Sequence, residues 1–442
     1  MDRKLLGSGV LALGFALLGA ACAGVEESPP SASEALAGEQ TAYRARAAQG
    51  FAISPVPLNT RGLDGRRKAQ VGLGSYIVNA ASDCAVCHTG PAGFLSGGVP
   101  FFLDGAGHVV WTRNLTPDPA TGLHLTLHQF KEAIRTGRDF HPGNTVQMIV
   151  MPWTTLRWSS DEDLEAIYAY LQAIPAVANA VPPDNKNDLP LPASTPFPKH
   201  DYTDGDVVRK LKHDQSSFDP RRGLAISARP EPAGLDESTR AAYGLGSYIA
   251  SAFTHCNDCH THPDRTPDFA RINTAAFLTG GTVFAVPPPF QPVFHQVRTM
   301  SANLKGAEHG FFAEPDATWE TFRAIIHTGT HVDETPPRAL GFPMNLVAAN
   351  LSNLLEDDLH AVYIWAKNLP PTTGASDQER QTYARLCGAD TDCLAGETCY
   401  GVTHECVGGP CASDADCGAC QTCGASACQP PAPDSACLAS AQ

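Results

Sequence analysis

The stretch "GLGSYIVNAASDCAVCHTG", Gly72 to Gly90, returns later in the chain as "GLGSYIASAFTHCNDCHTH", Gly244 to His262. The likeness extends on both sides. From Gly62 and Gly234 the two segments align without gaps and match at about half their positions. Downstream, "FLSGG" at Phe94 pairs with "FLTGG" at Phe277, and "FKEAIRTG" at Phe130 with "FRAIIHTG" at Phe322. "DEDLEAIYAYLQAIP" at Asp161 then pairs with "EDDLHAVYIWAKNLP" at Glu356. The shared order means that a whole unit was duplicated, not a motif.

Within each copy the apolar period is helical. Thr126 with Gln129 forms a capping box before a helix burying Leu127, Phe130 and Ile134, and Gly137 ends it. The last helix of the first copy is expected to start at Ser159 with Glu162 as its box partner. It shows Leu164, Ile167, Tyr168 and Leu171 on one face and stops before Pro175. Asn353 with Glu356 repeats the start in the second copy; Leu359, Val362, Tyr363 and Ala366 repeat the face, and Pro370 the stop. These periods predict an all-α fold with domains at 61–178 and 233–371. A proline-rich linker at 179–232 joins them, and a short linker at 372–386 leads to a cysteine-rich module at 387–442.

A chain of 442 residues has room for two or three domains. A net charge of −15 argues against nucleic acid and against docking on anionic lipid, both of which need a basic face. The first 23 residues, with Arg3 and Lys4 before an apolar run, read as an export signal, and no other run is long enough to span a membrane. Cys22 after "LGAA" is a candidate for lipidation, with plain signal cleavage as the alternative. Residues 24–60 read as a flexible tether, because "VEESPPSASEALAGEQ" has little to bury.

The chemistry sits in Cys84-x-x-Cys87-His88 and Cys256-x-x-Cys259-His260. Two cysteines three apart on one helical turn direct both sulfurs to one edge of a haem, and the next histidine faces the iron, which is the c-type attachment spacing. A zinc site needs four convergent ligands, yet the second pair lies a domain away. A thioredoxin-like dithiol belongs in a βαβ unit, which neither copy shows. Two covalently attached c-type haems are therefore expected. For the sixth ligands, Met151 in "VMPWTTL" and Met344 in "FPMNLVA" stand at corresponding places before the final helix, with Met148 as the alternative in the first copy. Met300, His327 and His331 compete in the second.

These residues resemble class I c-type cytochromes, and specifically the multihaem cytochrome c subunits of membrane-associated alcohol, sorbitol and gluconate dehydrogenases. The likeness lies in "YIVNAASDCAVCHTG", "FLSGG", "RNLTPDPATGLHLTLHQFKEAIRTGR", "MPW" and "SSDEDLEAIYAYL". It covers Gly62 to Pro175 well and Gly234 to Pro371 less well, where Asn303 is kept but "TPD" and "TGL" are not. It implies two tandem class I cytochrome c domains in which first and last helices cross, with Met151 and Met344 as distal ligands. It also implies a role passing electrons from a dehydrogenase to a quinone or terminal oxidase. Subunits of that family commonly hold three haems; two attachment motifs occur here.

The remaining ten cysteines fall between Cys387 and Cys437 in a segment with little apolar content, which predicts a small disulfide-stapled module. Cys417, Cys420, Cys423 and Cys428 also resemble a ferredoxin run with its last gap one residue too long. The expected function is that of an exported carrier in the periplasm or at the outer membrane or cell surface, serving a redox partner protein. A dihaem enzyme, peroxidase-like or thiosulfate-oxidising with an open second haem, is the alternative. A surface binding protein is the third.

Overall fold

The computed structural model describes residues 32–103, 107–189, 216–261, 272–285, 298–306, 310–332, 338–372, 398–400, 405–408, 411, 417 and 421–429. The chain divides into two units, Met1–Ala42 and Tyr43–Gln442. Of the first, residues 32–42 are described and are helical. The export signal, Cys22 and most of the linker at 372–386 lie outside the described residues.

The described fold is rich in helix, with only short antiparallel two-stranded ribbons among the described residues. Its first half contains α1 (Ala32–Ile53), α2 (Gly65–Tyr76), α3 (Cys84–His88), α4 (Leu127–Thr136), α5 (Trp153–Leu156) and α6 (Asp161–Ala173). The second half repeats that order with α7 (Pro220–Ile226), α8 (Glu237–Ala252), α9 (Cys256–His260), α10 (Trp319–Thr328), α11 (Met344–Leu351) and α12 (Glu356–Asn368). Aspartates at the same aligned place cap the two long first helices: Asp64 accepts from the Arg67 amide and Asp236 from that of Thr239.

The "GLGSY" signature explains how the helices cross. A Cβ at Gly74 would sit 1.9 Å from the Ala166 carbonyl oxygen on α6, and one at Gly246 would sit 1.9 Å from that of Ala361 on α12. Only glycine lets these backbones approach so closely. The first glycine of each signature faces the preceding helix: a Cβ at Gly50 would lie 1.8 Å from the Gly72 carbonyl oxygen, and one at Gly223 1.7 Å from that of Gly244. The serine of the signature then donates from its hydroxyl to Gly50 in one half, at 2.6 Å, and to Gly223 in the other, at 2.7 Å.

Both the expected tether and the expected linker contribute to this packing. Tyr43–Ile53 is helical and buries Ala47 and Arg46, although the segment reads as a tether. Likewise Pro220–Ile226, inside the expected linker, forms α7 with Asp219 capping its start. "GFAISP" at Gly50 and "GLAISA" at Gly223 are the corresponding pieces, so the repeat begins earlier than its densest matches suggest. Residues just past 178 also stay attached to the first half, because Asn185 bridges to Val109.

The capping box at Thr126 and Gln129 and the left-handed Gly137 that closes α4 are as read from sequence. The last helices differ from expectation. Ser160, not Ser159, caps α6, and its hydroxyl accepts from the Asp163 amide. At α12 no side chain caps the start locally. Both starts are served from the opposite half instead: Ser160 N donates to the Tyr248 hydroxyl at 2.6 Å and Leu355 N to the Tyr76 hydroxyl at 3.0 Å. Each hydroxyl in turn donates at 2.5 Å to a buried carboxylate on the same helix, Asp163 for Tyr248 and Asp358 for Tyr76. Phe218 fills the space between, its ring centroid 5.9 Å from that of Tyr76 and 6.1 Å from that of Tyr248.

In the cysteine-rich segment two ribbons are described, Thr398–Tyr400 with Glu405–Val407 and Thr422–Gly424 with Ala427–Gln429. Disulfides join Cys411 to Cys423 and Cys417 to Cys428. Those bonds consume three of the four thiols a ferredoxin-type cluster would use.

Candidate functional site

Each attachment motif forms one short helix immediately after the long first helix. In the first half α2 widens into a π turn over Ile77–Ala81. There the Asn79 side chain takes the Ser75 carbonyl at 2.9 Å and the Tyr170 hydroxyl at 3.0 Å, competing with the backbone ladder. Ser251 stands at the aligned place in the second half, where α8 is regular. Cys84 lies 3.3 Å from the Ser82 hydroxyl, and Cys256 3.2 Å from that of Thr254.

All four motif cysteines are free thiols. Burial pushes the Cys87 thiol up to about 12 and that of Cys256 up to about 11, and raises those of Cys84 and Cys259 as well. A redox dithiol needs the opposite shift, toward thiolate. Zinc is no better served: among the described residues the only metal-ligand cluster of three is Cys411, Cys417 and Cys428, all of them in disulfides.

The histidines show what the motif is built for. His88 Nδ1 lies 2.8 Å from the Arg113 carbonyl oxygen, and His260 Nδ1 lies 2.8 Å from that of Ala302. A carbonyl only accepts, so Nδ1 carries the proton and Nε2 keeps its lone pair for a metal. Burial lowers the pKa of both rings, which favours the neutral, ligating form. The following asparagine helps hold these carbonyls in place: Asn114 Oδ1 accepts from the Thr116 amide at 3.0 Å, and Asn303 Oδ1 from that of Gly306 at 2.6 Å.

In the first half Cys84, Cys87 and His88 open onto a cavity of about 500 Å³ whose other walls include Phe130, Leu164, Met148 and Met151. Mostly apolar walls, two thiols beside a ligating imidazole and methionines lining the same space are the donor set a c-type haem takes. Met344 begins α11 and packs against the core of the second half. Of its rivals, His327 is held by Glu356 at 3.1 Å, Met300 ends the strand Arg298–Met300 and His331 the strand Thr330–His331.

The two motifs meet. Asp83 and His255, each the residue before the first cysteine of its motif, stand 4.0 Å apart and are largely buried. Thr155, four residues after Met151, donates to both carboxylate oxygens of Asp258 inside the second motif, at 2.9 Å each. Asn350 of α11 returns the contact, donating to the Ser82 carbonyl at 3.3 Å. Segments flanking the candidate distal ligand of each half thus touch the attachment motif of the other.

No protein-family model matches the chain. Among curated proteins it is 25% identical over 298 residues to one of the subunits that make up the nicotinate dehydrogenase of Pseudomonas putida, covering 66% of this chain and 21% of that one. It is 25% identical over 348 residues to the cytochrome c subunit of the quinone alcohol dehydrogenase of Gluconacetobacter polyoxogenes, covering 77% and 64%. With the gluconate 2-dehydrogenase cytochrome c subunit of Pantoea cypripedii it shares 26% over 331 residues, covering 73% and 64%. The chain is similar to dehydrogenase cytochrome c subunits. It spans about a fifth of the first of these relatives and just under two thirds of the other two.

In the first half Cys84, Cys87, His88 and Met151 line one cavity. Sequence reasoning missed the carbonyls of Arg113 and Ala302, although the asparagine retained after each was a signal for them. It also missed Arg46, Phe218 and the two signature tyrosines, which act across the halves.

Proposed function

We propose that this chain is an exported electron-transfer protein of two tandem class I cytochrome c domains, each holding one covalently attached haem. Cys84 and Cys87 attach the first and His88 binds its iron, with Met151 as sixth ligand. Cys256, Cys259 and His260 do the same for the second, with Met344. When bound, the haems supply one-electron iron chemistry. The chain's own work is to fix the imidazoles through the Arg113 and Ala302 carbonyls, to exclude water and to hold the two sites against each other. The abutment of the two motifs at Asp83 and His255 carries this reading, because two haems attached beside one seam could exchange an electron without a diffusing carrier. Dehydrogenase subunits among its relatives support a dehydrogenase as donor, with a respiratory acceptor beyond. The periplasm or cell surface is the proposed location, with Cys22 as lipid anchor. Among the described residues no helix is long and apolar enough to cross a membrane.

Intact mass of chain matured in a host that attaches haem should show two haems. Its reduced visible spectrum should be low-spin at both and indifferent to carbon monoxide. Carbon monoxide binding by the wild-type chain would overturn the pure carrier reading in favour of a redox enzyme with an open second site. Met151→Ala and Met344→Ala should each open one haem to carbon monoxide; an unchanged spectrum removes that methionine from the ligand set.

A further inference from the structure

Among the polar residues that line the cavity of the first half are Arg113, His141, Asp139, Asp184 and Lys186. Ion pairs account for most of them. Arg113 Nη2 donates to Asp184, which also accepts from the Trp111 amide and from Asn144, both at 2.9 Å. The fully buried Lys186 donates to Asp139 at 2.8 Å. Two cations and two carboxylates balance, yet two buried nitrogens are left over. Among the described residues neither Arg113 Nη1 nor His141 Nδ1 has a hydrogen-bond partner. Leaving a buried polar group unpaired costs about 1–3 kcal/mol, and more for a charged one, so such atoms in a cavity wall point to a ligand.

A haem attached at Cys84 and Cys87 is apolar over its ring and carries two propionate carboxylates on the edge away from its thioether links. That polarity matches the cavity. We propose that Arg113 Nη1, with His141 beside it, receives a propionate of the first haem, and that the equivalent position of the second half supplies no cation. Ala302 occupies the equivalent place, since its carbonyl accepts from His260 as that of Arg113 accepts from His88. The guanidinium favours the reduced, more negative state of the first site and leaves the second untouched, so the duplicated sites differ in potential by a side chain and not by ligand type. This proposal rests on the two-haem reading above.

Potentiometric titration of the full haem-loaded chain tests it with Arg113→Gln and Arg113→Lys, after mass has confirmed the haem count of each variant. Asp184 keeps its bonds from Trp111 and Asn144 in both variants, and the carbonyl at 113 remains for His88, so the fold should survive. Arg113→Gln should lower one midpoint by about 59 mV, a tenfold change in that site's reduction equilibrium, while the other midpoint stays. Arg113→Lys, which keeps the charge, should recover part of the shift. Two unmoved midpoints, or two that move together, would overturn the proposal while leaving the two-haem reading intact. A wild-type chain without two haems would sink that reading instead.

Discussion

Asp163 and Asp358 occupy the same position on the last helices of the two halves, and each accepts a tyrosine hydroxyl from the other half. Their other hydrogen-bond partners differ. Asp163 is met by the hydroxyls of Ser217 and Ser160. Asp358 faces Arg46, whose Nη2 and Nε reach it at 2.6 and 2.8 Å, while the guanidinium lies 4.3 Å over the Phe218 ring. The same contrast recurs at the seam, where Asp83 meets His255, and at the proximal carbonyls, where Arg113 corresponds to Ala302. Backbone partners and glycine crossings were kept in both halves; charges were free to diverge wherever a local substitute satisfied the same buried group.

The largest test of that contrast is Asp358→Asn, which leaves the buried Arg46 without its counter-charge. It should cost about 3–5 kcal/mol in chemical denaturation, and a loss below about 1 kcal/mol would show the pair to be marginal. Next come Gly74→Ala and Gly246→Ala, which push a methyl into a facing carbonyl. Each should cost up to about 3 kcal/mol, with similar values in the two halves because the clash is the same. If the two losses differ widely, the crossings are not equivalent.

Asp163→Asn should have the smallest effect and depend on pH. Burial raises the folded-state pKa of Asp163, against the hydrogen bonds from Ser217, Tyr248 and Ser160. A carboxyl raised in this way contributes stability that is fully present below its unfolded value, near about pH 4, and is lost as pH rises through the folded one. The penalty of Asp163→Asn relative to wild type should therefore shrink from about pH 4 to about pH 7. A penalty that grows over that range contradicts the assignment.

How far the sequence could be read follows from the range of each interaction. The attachment motifs, the capping box at Thr126 and the stop at Gly137 are written in residues a few positions apart, and the repeat shows when the two segments are laid side by side. The meeting of Cys84 with Cys87 and His88 is local too, since one helical turn brings them together. Met151 beside the first motif needed the resemblance as well as its place before the last helix, and the second half was harder because its distal loop has drifted. Segments 43–53 and 220–226 were misread as tether and linker because short polar helices show little period of their own; their burial comes from glycine contacts with the next helix.

What the sequence by itself determined is local: two copies of one helical unit, each with a Cys-x-x-Cys-His turn. Only the tertiary structure decided that Tyr76 and Tyr248 exchange between the copies to serve the starts of the opposite last helices, that Asp83 meets His255, and that Arg113 and His141 keep unpaired nitrogens in a cavity wall. The reason is physical. A buried polar group must find a partner, but nothing in the chain's local periodicity says from how far along the chain that partner will come.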